Sequence, residues 1–98
     1  MNYNEELQLL KKELYGIESN GSIDGYQNQI GMGNFDKDKF NKILTQFKNI
    51  AQNAKKQDPV LNEILGHYIN FAIDTATLLL SQKNDDYSEI VKELENIF

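Results

Sequence analysis

The chain has 98 residues, a formal net charge of −5 and no cysteine, so neither a disulfide framework nor a thiolate metal site can form. All ten basic residues are lysine. Bidentate guanine readout and fork-shaped phosphate clamps suit arginine better, so nucleic acid is not an expected partner of this acidic chain.

Ninety-eight residues are read as one helical domain, 1–98, large enough to bury roughly two-thirds of its unfolded surface without staples. The opening Met1-Asn2-Tyr3-Asn4-Glu5-Glu6 has neither the basic nor the apolar region of a secretory signal. The longest all-apolar run in the most hydrophobic segment is Leu78 to Leu80, too short to span a bilayer. A cytoplasmic protein with no membrane span is therefore expected. Abundant asparagine beside the missing arginine points to an AT-rich coding bias, that of a low-GC bacterium or its phage.

The first helix is predicted from Tyr3 to Glu18. Asn2 and Glu5 stand at capping-box spacing, and Tyr3, Leu7, Leu10, Leu14 and Ile17 form a narrow apolar seam at intervals of four and three. Leu9 and Tyr15 lie off that seam, facing either a second neighbour or solvent. Five of the six glycines then fall between Gly16 and Gly33. Asn20-Gly21 reads as the helix stop, and Ser19 to Asn34 as a long Gly-rich loop partly packed on the rest through Ile23, Tyr26, Ile30 and Met32.

The second helix opens on Asp36, with Phe35 and Phe40 placed as a hydrophobic staple. Phe40, Ile43, Leu44, Phe47, Ile50, Ala51 and Ala54 share an arc of about 120°. Asp58-Pro59 is a cap followed by the one position where proline costs a helix nothing. From there to about Gln82 runs the longest and most apolar helical pattern in the chain. Its polar residues Glu63, His67, Asn70, Asp74, Thr77 and Ser81 fall within roughly 80°, and apolar residues fill most of the remaining circumference. It reads as a spine needing neighbours on nearly every other side. A last helix begins at Asp86, with Glu89 at capping-box spacing and an apolar face of Tyr87, Ile90, Val91, Leu94, Ile97 and Phe98. The expected fold is all-α: a four-helix antiparallel bundle with a long central third helix and a long Gly-rich loop between helices 1 and 2.

Charge is unevenly shared. Residues 35–57 carry six lysines and two acids, and residues 83–98 five acids and two lysines, which sets the second helix between acidic neighbours.

Few patterns suggest chemistry. Glu63, His67, Asn70 and Asp74 have the helical spacing of metal ligands, but a bundle site needs matching ligands from a facing helix, and no second half is evident. Asn20, Ser22 and Asp24 with Gly25 resemble an EF-hand loop in spacing, yet Gly31 stands where the bidentate glutamate belongs. Turn chemistry explains them, and neither metal nor cofactor is expected. No hydroxyl or thiol nucleophile has an adjacent base, so no catalytic residue and no enzyme activity is expected. The corner between the second and third helices has the look of a helix-turn-helix, but residues 59–82 contain no basic residue to meet DNA.

By elimination, the expected role is binding another protein, as an immunity, antitoxin-like or anti-defence inhibitor protein. The predicted contact residues are Tyr26, Gln27, Ile30 and Met32 of the loop, with Glu63, His67, Asn70 and Asp74 of the polar strip. The competing expectation is a self-associating structural or adaptor subunit, with a homodimer its simplest form.

Overall fold

A computed structural model describes residues 3–16, 25–53 and 59–96. Among them are five α-helices and no strand: α1 (Tyr3–Tyr15), α2 (Tyr26–Gly31), α3 (Lys37–Asn53), α4 (Pro59–Ser81) and α5 (Tyr87–Glu95). The all-helical expectation is met, but four helices become five, because α2 occupies part of the stretch read as loop.

α1 ends at Tyr15 with Gly16 as its cap, and Ile17 and Glu18, to which the helix is expected to run, lie outside the described residues. Gly16 takes φ +93°, and its N–H bonds the Lys12 carbonyl at 2.9 Å, the left-handed cap that glycine adopts without strain. Asn20 and Gly21, the expected stop, lie outside the described residues, as do Ser22, Ile23 and Asp24. α2 closes with a full Schellman motif: Asn34 N–H to the Gln29 carbonyl, Gly33 N–H to the Ile30 carbonyl, and Gly33 at φ +85°. A six-residue helix bounded by glycine is too short to declare itself by periodicity.

α3 starts as its sequence signals. The Asp36 Oδ1 accepts the Lys39 N–H at 3.2 Å, and the Phe35 and Phe40 rings lie 5.9 Å apart. α4 runs unbroken for 23 residues. It too ends in a Schellman motif, Asn84 N–H to Leu79 and Lys83 N–H to Leu80, but here Lys83 holds the left-handed position at φ +53°. Since a Cβ is disfavoured there, Lys83→Gly should stabilise the protein by about 0.5–1 kcal/mol, read as a higher urea midpoint. The capping box expected at α5 is not formed: Asp86 makes no side-chain cap bond, and its own N–H is bound by Asn84 Oδ1 at 2.8 Å. Asp86 and Glu89 instead face Lys37 at 3.7 and 3.8 Å, while Lys42 reaches Glu13 of α1 at 2.8 Å. The lysines of α3 thus meet acids from both neighbours, in exposed pairs worth ~0–1 kcal/mol each.

Each of the other four helices packs on α4. Phe71 is the hub of the core: its ring lies 5.1 Å from Tyr26, 5.3 Å from Phe40, 5.3 Å from Phe47 and 6.2 Å from Tyr68. Leu7, Leu10 and Leu14 of α1, Ile30 of α2, Ile43, Leu44 and Ile50 of α3, Ile64 and Leu79 of α4, and Ile90 and Leu94 of α5 pack around it.

Two buried phenols are tied into this core. The Tyr26 hydroxyl is hydrogen-bonded to Thr75 Oγ1 at 2.5 Å, and Tyr68 donates to the Leu94 carbonyl. Burial pushes both phenols up, Tyr68 to about 12. An unfolded tyrosine ionises near 10, so between about pH 10 and 12 the unfolded chain loses protons that the folded one keeps. Stability should therefore fall as pH rises through that window, and circular dichroism at graded alkaline pH should show helix loss there and none between pH 7 and 9.

The expectation of a spine wrapped on nearly every side is corrected. The molecule measures 38 × 32 × 19 Å, and 19 Å accommodates only about two helix layers. α4 therefore buries one face, carrying Ile64, Tyr68, Phe71, Thr75 and Leu79, while Ile69, Ile73 and Leu80 stay 53, 58 and 61 % exposed.

Candidate functional site

Two surfaces of α4 carry candidate chemistry. The polar strip is crossed by α1 and α2. Lys11 Nζ lies 2.5 Å from Glu63 Oε1, whose other neighbour is His67 Nε2 at 3.7 Å. His67 Nδ1 is hydrogen-bonded to the Tyr15 hydroxyl at 2.5 Å. Two turns further, Gln27 Nε2 donates to Asp74 Oδ2 at 2.8 Å. Lys11 holds the Glu63 carboxyl below the usual range, whereas burial, and then the Asp74 charge, raise the Tyr15 phenol. The bonds of the strip fasten α1 and α2 to α4.

The eight predicted contact residues divide accordingly. Tyr26 and Ile30 are 1 and 6 % exposed; they anchor α2 in the core and offer no surface to a partner. Gln27 is brought against Asp74, and Glu63 against His67, with α1 alongside. Asn70 is exposed on α4, and Met32, 54 % exposed, stands at the C-terminal cap of α2. Among the described residues no three His, Cys, Asp or Glu converge as a metal would require. Asn20, Ser22 and Asp24, which resemble calcium ligands in spacing, lie outside those residues.

The second surface went unread in the sequence. Asn62, Gly66, Ile69, Ile73, Ala76 and Leu80 follow one another at spacings of four, three, four, three and four. That is the a/d repeat of a helix–helix seam. All are exposed except Ala76, which is half-buried, and none is charged. The available signal was the 4–3 alternation together with a mid-helix glycine.

The chain matches no protein-family model, no curated protein and no solved structure. Function is thus to be read from the surfaces themselves.

Leu9, 45 % exposed, borders a recess of about 180 Å³ between α1 and α3, lined also by Glu6, Gln46, Asn49 and Ile50. Among the described residues Glu6 Oε2 and Gln46 Oε1 have no hydrogen-bond partner, but both atoms are fully buried, so neither presents itself to a ligand entering there. The recess is weaker than the α4 seam, where three large aliphatic side chains stand in water on one line.

Proposed function

We propose that the protein is a binding module whose contact surface is the outer face of α4, and that it works by accepting a helix of a protein partner there. The observation that carries this reading is the row Ile69, Ile73 and Leu80, exposed in a seam with a/d spacing. Isolated exposed aliphatics are ordinary, but three on one helical line form a surface. Gly66 adds support. It costs the helix about 1 kcal/mol relative to alanine, yet among the described residues no atom outside its own stretch of helix lies within 4 Å of where its Cβ would stand. No neighbour within the described chain requires a glycine there, whereas an incoming helix can approach closely over it. Inhibitors of the immunity or antitoxin-like type and structural adaptors both act by occupying or joining protein surfaces, and neither role needs reacting groups.

Of the contacts predicted from sequence, Asn70 flanks the seam directly and belongs to the proposed surface. A photoreactive residue placed at Ile73 in producing cells should form a covalent protein adduct. The same residue at exposed Lys48 of α3 should form none. Failure to form an adduct at Ile73, or the same adducts from both positions, would overturn the proposal.

A further inference from the structure

Resting on that reading of α4, we infer that the occupant of its outer face is a second copy of this chain, with the two α4 helices antiparallel across a two-fold axis. Strict 4–3 spacing suits a helix as occupant, since only a helical partner presents knobs at the same 3.5-residue period. The described residues carry one such unpartnered seam, and that seam is complementary to itself. With the copies centred near residue 71, Ile69 of each lies opposite Ile73 of the other, which makes two large apolar layers beside the axis. Gly66 then lies opposite Ala76, and Asn62 opposite Leu80. Small residues face small ones on either side of the central isoleucines, so the helices can approach closely. The parallel alternative sets Gly66 on Gly66 and leaves a gap within the seam.

Charge does not oppose this occupant at the contact itself. Two copies at −5 each repel, and any acid facing its own copy would oppose association. The seam contains no charged residue, and the acids nearest to it on α4 are engaged elsewhere, Glu63 with Lys11 and Asp74 with Gln27. Asn70 lies beside the axis, where two carboxamides can each donate and accept. A seam of 19 residues is about 28 Å long, and one helix pair of that length falls below the ~1,600 Å² of a standard interface. The dimer is accordingly weak and reversible, with a dissociation constant on the order of 10–100 μM.

Sedimentation velocity from about 1 to 500 μM tests this, a range that brackets the expected constant. The weight-average mass should rise from 11.3 kDa toward twice that value, and Ile73→Lys should weaken association at least ~10-fold with helicity unchanged. The chain has no cysteine, so single-cysteine variants report orientation cleanly. Oxidising a mixture of Ile69→Cys and Ile73→Cys chains should link one to the other in preference to either with itself. A wild-type chain monomeric over the whole range, or a dimer indifferent to Ile73→Lys, would overturn the inference. If the chain is monomeric and the photoreactive Ile73 variant joins a different protein, α4 remains a binding face and only the second copy is excluded. If it is monomeric and forms no adduct, both readings fail.

Discussion

Phe71→Ala should lower the unfolding free energy by about 3–5 kcal/mol, enough to remove most of the stability of a domain this small. Phe71 is fully buried and meets rings from α2, from α3 and from its own helix, so its removal leaves a cavity between three elements at once. Neighbouring rings cannot simply collapse into the space, since Tyr26 is held by Thr75 and Tyr68 by the Leu94 carbonyl. Urea denaturation followed by circular dichroism measures the effect. Ile73→Ala, two residues away on the exposed seam, should change stability by no more than ~0.5 kcal/mol. A loss below ~1 kcal/mol for Phe71→Ala would mean that the ring is not the hub described.

Gly25→Ala comes next in size. A Cβ at Gly25 would stand 2.5 Å from the Tyr15 carbonyl carbon and 2.6 Å from the Gly16 nitrogen. Both obstacles are backbone, so no side chain can swing aside; the entrance to α2 must lift off the end of α1. Because α2 brings Tyr26 and Ile30 into the core, that displacement should cost about 2–3 kcal/mol. Gly31→Ala is the matched control: it is helical and exposed, and among the described residues nothing outside its own stretch of helix lies within 4 Å of its Cβ position, so it should be neutral or stabilising by up to ~1 kcal/mol. Equal stabilities for the two variants would show that α2 does not cross α1 so closely.

Local punctuation was legible in the sequence. Phe35, Asp36 and Phe40 announce the start of α3, and Pro59 that of α4, because a staple, a cap and a helix-compatible proline act over a few residues and need no knowledge of the rest. Helix ends were harder. Gly16 looked no different from the glycines after it, and Lys83 carries no sign that its backbone is left-handed. α2 escaped because Gln27 and Asn28 look like loop residues until Tyr26 finds Thr75 and Gln27 finds Asp74, partners 49 and 47 positions away. The largest discrepancy, the bare side of α4, has a different origin. Hydropathy measures how much apolar surface a helix carries, not how many neighbours exist to cover it. Four shorter helices arranged about two layers deep can cover one face of a 23-residue rod. Ile69, Ile73 and Leu80 belong to the apolar circumference that reads as needing neighbours, yet they stand exposed. The same miscount moves the candidate surface from Tyr26 and Ile30, which the core consumes, to the opposite side of α4. Such departures from a consistent pattern are where function is expected to reside.

The division of α4 into a buried and a bare face is most directly tested by thiol labelling of single-cysteine variants in dilute solution, where any self-association is negligible. Ile73→Cys and Leu80→Cys should react at rates close to those of an unfolded control, and Leu79→Cys, adjacent in sequence but fully buried, at least ~100-fold more slowly in a protein of typical stability. Uniform protection across positions 73, 79 and 80 would contradict the exposed seam, and with it the binding face and the self-association built on it.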